Sequence, residues 1–416
     1  MRVRIHRGAH EIGGSCVEVE ASGSRLVLDV GRPLDAERDE VIELPQVPGF
    51  ESHDPSLLGV IITHAHQDHW GLAGQIPIGT PLYMGEATHR ILAEAAFWTA
   101  GLTVEPAGFL AHRAPMELGP FRITPFLNDH SAFDAYSLLV EADGRRLFYT
   151  GDISGHGRKH GIFYELIRRP PETIDVLLME GTNIRPGADD VREHPSETDI
   201  EAACAEIFRS TTGLALVTWS AQNIDRLVTL YRAALRSGRT LVIDLYTASI
   251  AAATGNPNIP HPGDEWPQVR VYVPRWQRVK VKDAGQFHRV EAVKPYRLYE
   301  RHLAANPASY VSQFGLSVAH LFEREGLLAD AKAIWSLWPG YLAENSGGRL
   351  VALYERLGIP WSIQHSSGHA SIRELERLAE ALAPRRIVPI HSFGSHRFAD
   401  YFSGVTPEED GTWWEV

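Results

Sequence analysis

Six consecutive residues, His64-Ala65-His66-Gln67-Asp68-His69, place three imidazoles and a carboxylate directly after an apolar run at 57–63. Imidazole nitrogen and carboxylate oxygen are the ligands expected for Zn²⁺, and they are acceptable to Mn²⁺ or Fe²⁺. The four side chains cannot all face one ion, because the backbone alternates direction; on a loop they can divide between two adjacent ions. Two ions about 3.5–4 Å apart activate water and clamp a phosphoryl group or another tetrahedral transition state.

Further ligands are needed for two ions, and candidates stand where apolar runs end: His130 after FLND, Asp152 after LFYTG and His391 after RRIVPI. Loops at strand termini suit such a site because the sheet fixes them. Taken singly, each reads equally well as an exposed or hydrogen-bonded residue. A fourth segment, Ser366-Ser367-Gly368-His369-Ala370, can offer hydroxyls and backbone N–H groups just ahead of a helix. Such a nest suits a phosphate, although a Ser/Gly turn with a helix cap explains it equally well.

The elements that must carry these residues follow from periodicity. Residues 16–31 read as a hairpin around Ser22-Gly23, and strands are expected at 57–63, 121–126, 136–141 and 146–150. A helix is expected over 85–101. From 174 onward the pattern alternates. Strands at 174–179, 214–218 and 241–245 are separated by helices that Ser196 and Asn223 can cap, which implies a parallel α/β layer. Residues 251–268 read as a surface loop. Strand, SSGHA, helix 372–382 and strand 387–390 close the pattern.

The chain has 416 residues, 40 Lys+Arg against 52 Asp+Glu and a formal charge of −12. That argues against nonspecific coating of nucleic acid and leaves a local basic groove open. Within 268–301 the balance reverses, with nine Lys/Arg against three Asp/Glu. Arg275, Lys280 and Lys282 could meet phosphates there, with Tyr272, Trp276, Phe287, Tyr296 and Tyr299 stacking bases; the blander reading makes the charges a solvated face and the aromatics core. Arg158 and Lys159, after GDISGHG, are further phosphate candidates. Cys16 and Cys204 cannot form a disulfide framework. With no signal-like start and no run of 18 apolar residues, neither secretion nor a membrane span is expected, and a cytoplasmic enzyme is the default.

THAHQDHWG resembles the HxHxDH signature of metallo-β-lactamase-fold hydrolases, and NDHS, YTGD and VPIH follow in the order of that family's later ligands. The resemblance implies an α/β protein with an αββα sandwich holding two Zn²⁺, or Mn²⁺. His64, His66 and His130 would bind one ion; Asp68, His69 and His391 would bind the other; Asp152 would bridge them. LLMEGTN with Glu180 and Thr182, QHSSGHAS with His369, and VPIHSFG with His391 are similar to the three motifs of the β-CASP branch. TWSAQNIDR at 218–226 further resembles the ribonuclease J group. That branch carries an inserted α/β domain, expected at 205–360, between a first sandwich part at 1–204 and a returning part at 361–416. No C-terminal domain like that of longer members is expected after His391, so the resemblance carries over endonuclease or short-substrate cleavage and leaves endo- versus exonuclease action open.

The function implied is a metal-dependent phosphodiesterase that cuts RNA or single-stranded DNA with a two-metal-activated hydroxide. Asp68, His369 and Glu180 would be catalytic, and Ser366, Ser367, Gly368, His369 and Ala370 would hold the substrate phosphate. Two rivals stand beside it: a hydrolase of a small nucleotide, phosphodiester or ester, and a non-catalytic metal-binding partner in an RNA-processing complex. Oligomeric state is left open, a homodimer among the options.

Overall fold

The computed structural model describes residues 1–37, 40–99, 101–186 and 191–416. The chain divides into two compact units. The first comprises Met1–Ala93, Leu102–His194 and Gly368–Val416; the second comprises Glu94–Gly101 and Pro195–Ser367.

The first unit contains two sheets. One is seven-stranded, in the order Trp413–Glu415, Arg2–Arg7, Cys16–Ala21, Ser24–Leu28, Leu57–Ile61, Leu82–Gly85, Gly108–Leu110. The other is six-stranded, in the order Arg386–Ile390, Val176–Glu180, Arg145–Tyr149, Tyr136–Ala142, Phe121–Leu127, Met116–Leu118. Alternation along each strand decides how they stack. Leu138, Val140, Leu147, Tyr149 and Leu178 join one buried cluster with Val3, Ile5, Val17, Val19, Leu26 and Leu28 of the seven-stranded sheet. The intervening Leu139, Phe148, Leu177 and Met179 point the other way. There they meet Phe163 and Leu166 of the helix His160–Arg168 and Ile372, Leu375 and Leu378 of the helix Ile372–Leu382. The unit is therefore an α/β sandwich. Trp413 and Trp414 sit on an edge strand paired antiparallel to Arg2–Arg7.

The second unit is built on a seven-stranded sheet in the order Arg297–Leu298, Val269–Tyr272, Thr240–Asp244, Tyr310–Gln313, Ala215–Thr218, Lys332–Trp335, Trp361–Ile363. Every pairing is parallel, as the alternation of strands and helices predicts. Ser196 forms a reciprocal capping box with Asp199 at the helix Glu197–Arg209, and Asn223 accepts the Arg226 N–H at the helix Ile224–Arg236. The expected loop at 251–268 is partly helical, since Leu245–Ala253 runs into it from an Asp244 cap. Of the aromatics in the basic stretch, Tyr272 is core: it packs on Phe322, and its hydroxyl donates to Glu300.

Candidate metal centre

The ligand candidates come from strand ends of both sheets of the first unit. The segment after Leu57–Ile61 carries His64 to His69, and its path is fixed by the chain that follows Ser24–Leu28. Val30 N–H donates to the His69 carbonyl and Arg32 N–H to the Gln67 carbonyl. Gly31 lies so close that an added Cβ would come within 1.7 Å of the Asp68 carbonyl oxygen; no other residue fits there. His130 and Asp152 follow Phe121–Leu127 and Arg145–Tyr149. His391 follows Arg386–Ile390 with φ of 53°, a left-handed conformation rare for a non-glycine residue and characteristic of functional sites.

Two overlapping groups result: His64, His66, His130 and Asp152, and Asp68, His69, Asp152 and His391, each with its donor atoms within 4.8 Å of one another. Asp152 divides the cluster. Its Oδ2 lies 3.5 Å from His64 Nε2 and 3.8 Å from His130 Nε2. Its Oδ1 lies 3.2 Å from His69 Nε2 and 3.8 Å from His391 Nδ1. Asp68 Oδ2 is 3.2 Å from His391 Nε2, and His130 Nε2 is 3.1 Å from His66 Nδ1.

The donor set fits a pair of dications. His64 Nε2, His69 Nε2 and both Asp152 oxygens are buried without a hydrogen-bond partner, a costly state that a coordinated cation relieves. The protein's own charges pull these groups in opposite directions. Burial, reinforced by neighbouring imidazoles, pushes His64 and His130 well below the ordinary histidine range. Burial also opposes the charged form of Asp152, but His69, His391 and His369 outweigh it and hold the carboxyl well below its usual range. Against burial, Asp152 and Asp29 raise His69. Seated cations would add larger charges to this balance.

Asp29 escaped the sequence reading. It ends the strand Ser24–Leu28 in a left-handed turn with φ of 59°. Its carboxylate accepts from the Thr63 N–H and hydroxyl, from the Tyr149 hydroxyl at 2.9 Å and from His69 Nδ1 at 2.8 Å. The only available signal was an acid closing an apolar run at LDVG.

A third group joins Glu180, His369 and His391. His369 Nδ1 lies 3.6 Å from Glu180 Oε2 and 3.7 Å from Asp152 Oδ2. Burial disfavours its protonation, yet those two carboxylates prevail and raise it to about 9. Thr182 Oγ1 stands between His369 Nδ1 at 3.1 Å and His391 Nδ1 at 3.0 Å.

The five residues expected to cradle phosphate are divided between the units, Ser366 and Ser367 closing the second and Gly368 to Ala370 resuming the first. Several of their polar groups are already used. The Ser366 hydroxyl donates to the Pro195 carbonyl at 2.6 Å, the Gly368 carbonyl faces His130 Nδ1 at 2.6 Å, and the Ala370 N–H donates to Glu180 Oε1 at 3.1 Å. Gly368 packs so tightly that a Cβ would lie 2.6 Å from Ser131 Oγ. Of the basic candidates, Arg158 is half-buried on the loop after Asp152. Lys159 binds the His130 carbonyl through Nζ at 2.7 Å, which bolts that ligand loop in place. Arg275, Lys280 and Lys282 lie in the second unit on the helix Arg275–Asp283.

Comparison with known families agrees with this architecture. The family model described as "Beta-lactamase superfamily domain" matches residues 38–219, and "Zn-dependent metallo-hydrolase RNA specificity domain" matches 362–413. The chain has the metallo-β-lactamase fold with an inserted β-CASP-like domain, and it carries candidate binuclear metal sites. It is homologous, at low identity, to the ribonuclease J family. Ribonuclease J of Helicobacter pylori strain 26695 is 24% identical over 415 residues, covering 94% of this chain and 55% of the relative. An RNase J-like protein of Methanocaldococcus jannaschii is 25% identical over 265 residues, covering 59% of this chain and 58% of that one. The chain thus spans about half the length of the curated relatives it matches. A crystal structure of a protein of unknown function from Enterococcus faecalis V583 superposes with a TM-score of 0.80 at 19% identity, over 99% of both chains. That likeness is one of fold. Among the described residues, no helix is long and apolar enough to cross a membrane.

Proposed function

We propose that this protein is a phosphodiesterase that cleaves RNA or single-stranded DNA at a pair of Zn²⁺ or Mn²⁺ ions. The observation that supports it most is the division of Asp152, one oxygen toward His64 and His130 and the other toward His69 and His391. His64, His66 and His130 would hold one ion and Asp68, His69 and His391 the second, with Asp152 within reach of both groups. Bound there, the ions supply Lewis acidity and a lowered pKa for water.

The chain's own residues do the rest. Asp68 orients the attacking water, which releases a proton to solvent as its oxygen forms a bond to phosphorus and the bond to the 3′ oxygen breaks. His369, held between Glu180 and Asp152, gives its proton to that departing oxygen. Glu180 fixes the turn through the Ala370 N–H. The products carry a 5′-phosphate and a 3′-hydroxyl. The RNA preference draws on the ribonuclease J relatives and on the description of the family matched at 362–413.

Incubating metal-loaded protein with single-stranded RNA, single-stranded DNA and bis(p-nitrophenyl) phosphate, and mapping product ends, tests this reading. Cleavage of a strand with those ends is expected. Turnover of the small diester alone would replace it with a small-molecule hydrolase.

A further inference from the structure

The helix Arg275–Asp283 forms one wall of an open groove of about 910 Å³ that lies wholly within the second unit. Phe97, Trp276 and Val279 give it an apolar floor, and Arg275, Lys280 and Asp283 stand on it. Trp276 is 39% exposed and Val279 45% exposed. The indole is nevertheless held. Trp98, buried and tied through Nε1 to Glu94 at 3.0 Å, meets it edge-on at 6.0 Å and 83°. Trp276 is thus a fixed aromatic plate with a free area.

The surrounding cations divide into paired and unpaired ones. Among the described residues of this stretch, Arg289 is neutralised by Glu94 and Lys294 by Glu291, whereas Arg275, Lys280 and Lys282 have no carboxylate within ion-pair distance. Lys280 Nζ is 5.7 Å from the Phe97 ring centroid, on the groove itself. Only Asp283, at the end of the helix, opposes them.

Resting on the strand-cleaving reading above, we infer that this groove is an accessory site for single-stranded RNA, which seats one or two bases on Trp276 while Arg275 and Lys280 hold the adjoining phosphates. An apolar plate beside unneutralised cations matches what a nucleotide presents, a flat π-face linked to an anion. A groove of this size admits a nucleotide and remains open for the strand to continue. An acidic peptide would satisfy the cations and leave the plate without a partner.

Fluorescence anisotropy of a 3′-labelled, unstructured 10-nucleotide RNA, in EDTA to prevent turnover, tests the assignment on the full chain. Trp276→Ala should weaken binding about 5- to 150-fold, in line with about 1–3 kcal/mol per stacked base. Trp276→Tyr should restore most of it. Lys280→Gln should lower the slope of log affinity against log salt by about one phosphate contact. Leu235→Ala, which removes a side chain 41% exposed outside the groove, should change nothing. Circular dichroism confirms that each variant is folded; if Trp276→Ala is not, Lys280→Gln and Trp276→Tyr decide. Wild-type binding that survives Trp276→Ala and Lys280→Gln intact overturns the groove and leaves the functional reading standing. Failure of the native chain to bind RNA overturns the groove, while the functional reading is decided separately by the cleavage assay on metal-loaded protein. Equal binding of an oligoglutamate peptide, lost in the same variants, would show that the groove recognises charge and would overturn it as an RNA site.

Discussion

His69 Nδ1 lies 2.8 Å from Asp29 Oδ2, and this contact turns the imidazole so that Nε2 faces Asp152 Oδ1 at 3.2 Å. The carboxylate fixes the proton on Nδ1 and leaves the Nε2 lone pair for a cation. Carboxylates placed behind a ligating imidazole are worth about 10- to 100-fold in metal affinity. Asp29→Asn should lower Zn²⁺ affinity by that factor in a chelator competition. Tyr149→Phe, which removes a different donor to the same oxygen, should cost less. Wild-type affinity in Asp29→Asn would show that Asp29 serves the fold alone.

Asp152 carries a heavier load, because its two buried oxygens have no hydrogen-bond partner among the described residues. Adding Zn²⁺ or Mn²⁺ at 100 times the dissociation constant should stabilise the wild type by about 2.7 kcal/mol for each site. In Asp152→Ala the thermal shift should nearly vanish. A full shift in that variant would place the ions elsewhere.

Thr182 Oγ1 sits between His369 and His391, so a change at one ring could disturb the other. His369→Ala should lower turnover about 100-fold or more, the scale of a lost general acid. Both ions should remain when metal content is measured by mass spectrometry. Loss of metal in parallel with activity would make His369 a ligand, in line with its grouping with Glu180 and His391.

What the sequence made legible was local. Three imidazoles and a carboxylate within six residues can be read without a fold, and so can an apolar run ending in Asp152 or His391. Asp29 could not be, because its partner His69 lies forty residues on, across a strand pairing that only the sheet order reveals. The Ala370 N–H could be counted as a donor, but not seen to be taken by Glu180. Charge counting likewise found the basic stretch and missed its division. Arg289 is neutralised by Glu94 from a distant helix, Tyr272 is buried and Trp276 four residues later is exposed. Pattern shows which groups exist; packing decides which remain available.

Arg226 is among the largest fully buried side chains of the second unit. Its guanidinium binds Glu197 at 2.8 Å, and it donates to the carbonyls of Ser336 at 2.9 Å and Gln364 at 3.1 Å. Removing one partner of a buried ion pair costs about 3–5 kcal/mol, because the other charge is left stranded. Arg226→Met should destabilise the protein on that scale in urea unfolding. If Arg226→Met/Glu197→Leu recovers most of the loss, the stranded carboxylate was the cause; if it recovers none, the lost carbonyl contacts were.

Glu18 provides the pH-dependent counterpart in the first unit. Burial disfavours its ionised form, but hydrogen bonds from His6 at 2.8 Å, Arg25 at 2.6 Å and Arg4 at 2.7 Å prevail and hold its carboxyl at about 2. The folded value lies below the ordinary 4.5, so the folded state binds the proton less readily than the unfolded chain. The stability gained is present in full above pH 4.5 and is lost as pH falls toward 2. It amounts to about 3 kcal/mol at 1.36 kcal/mol per pKa unit. Glu18→Gln should therefore be less stable than the wild type by that amount at pH 7, with the gap closing below pH 4.5 in denaturant titrations. A gap that stays constant down to pH 2.5 would assign the loss to packing rather than to the carboxylate's charge.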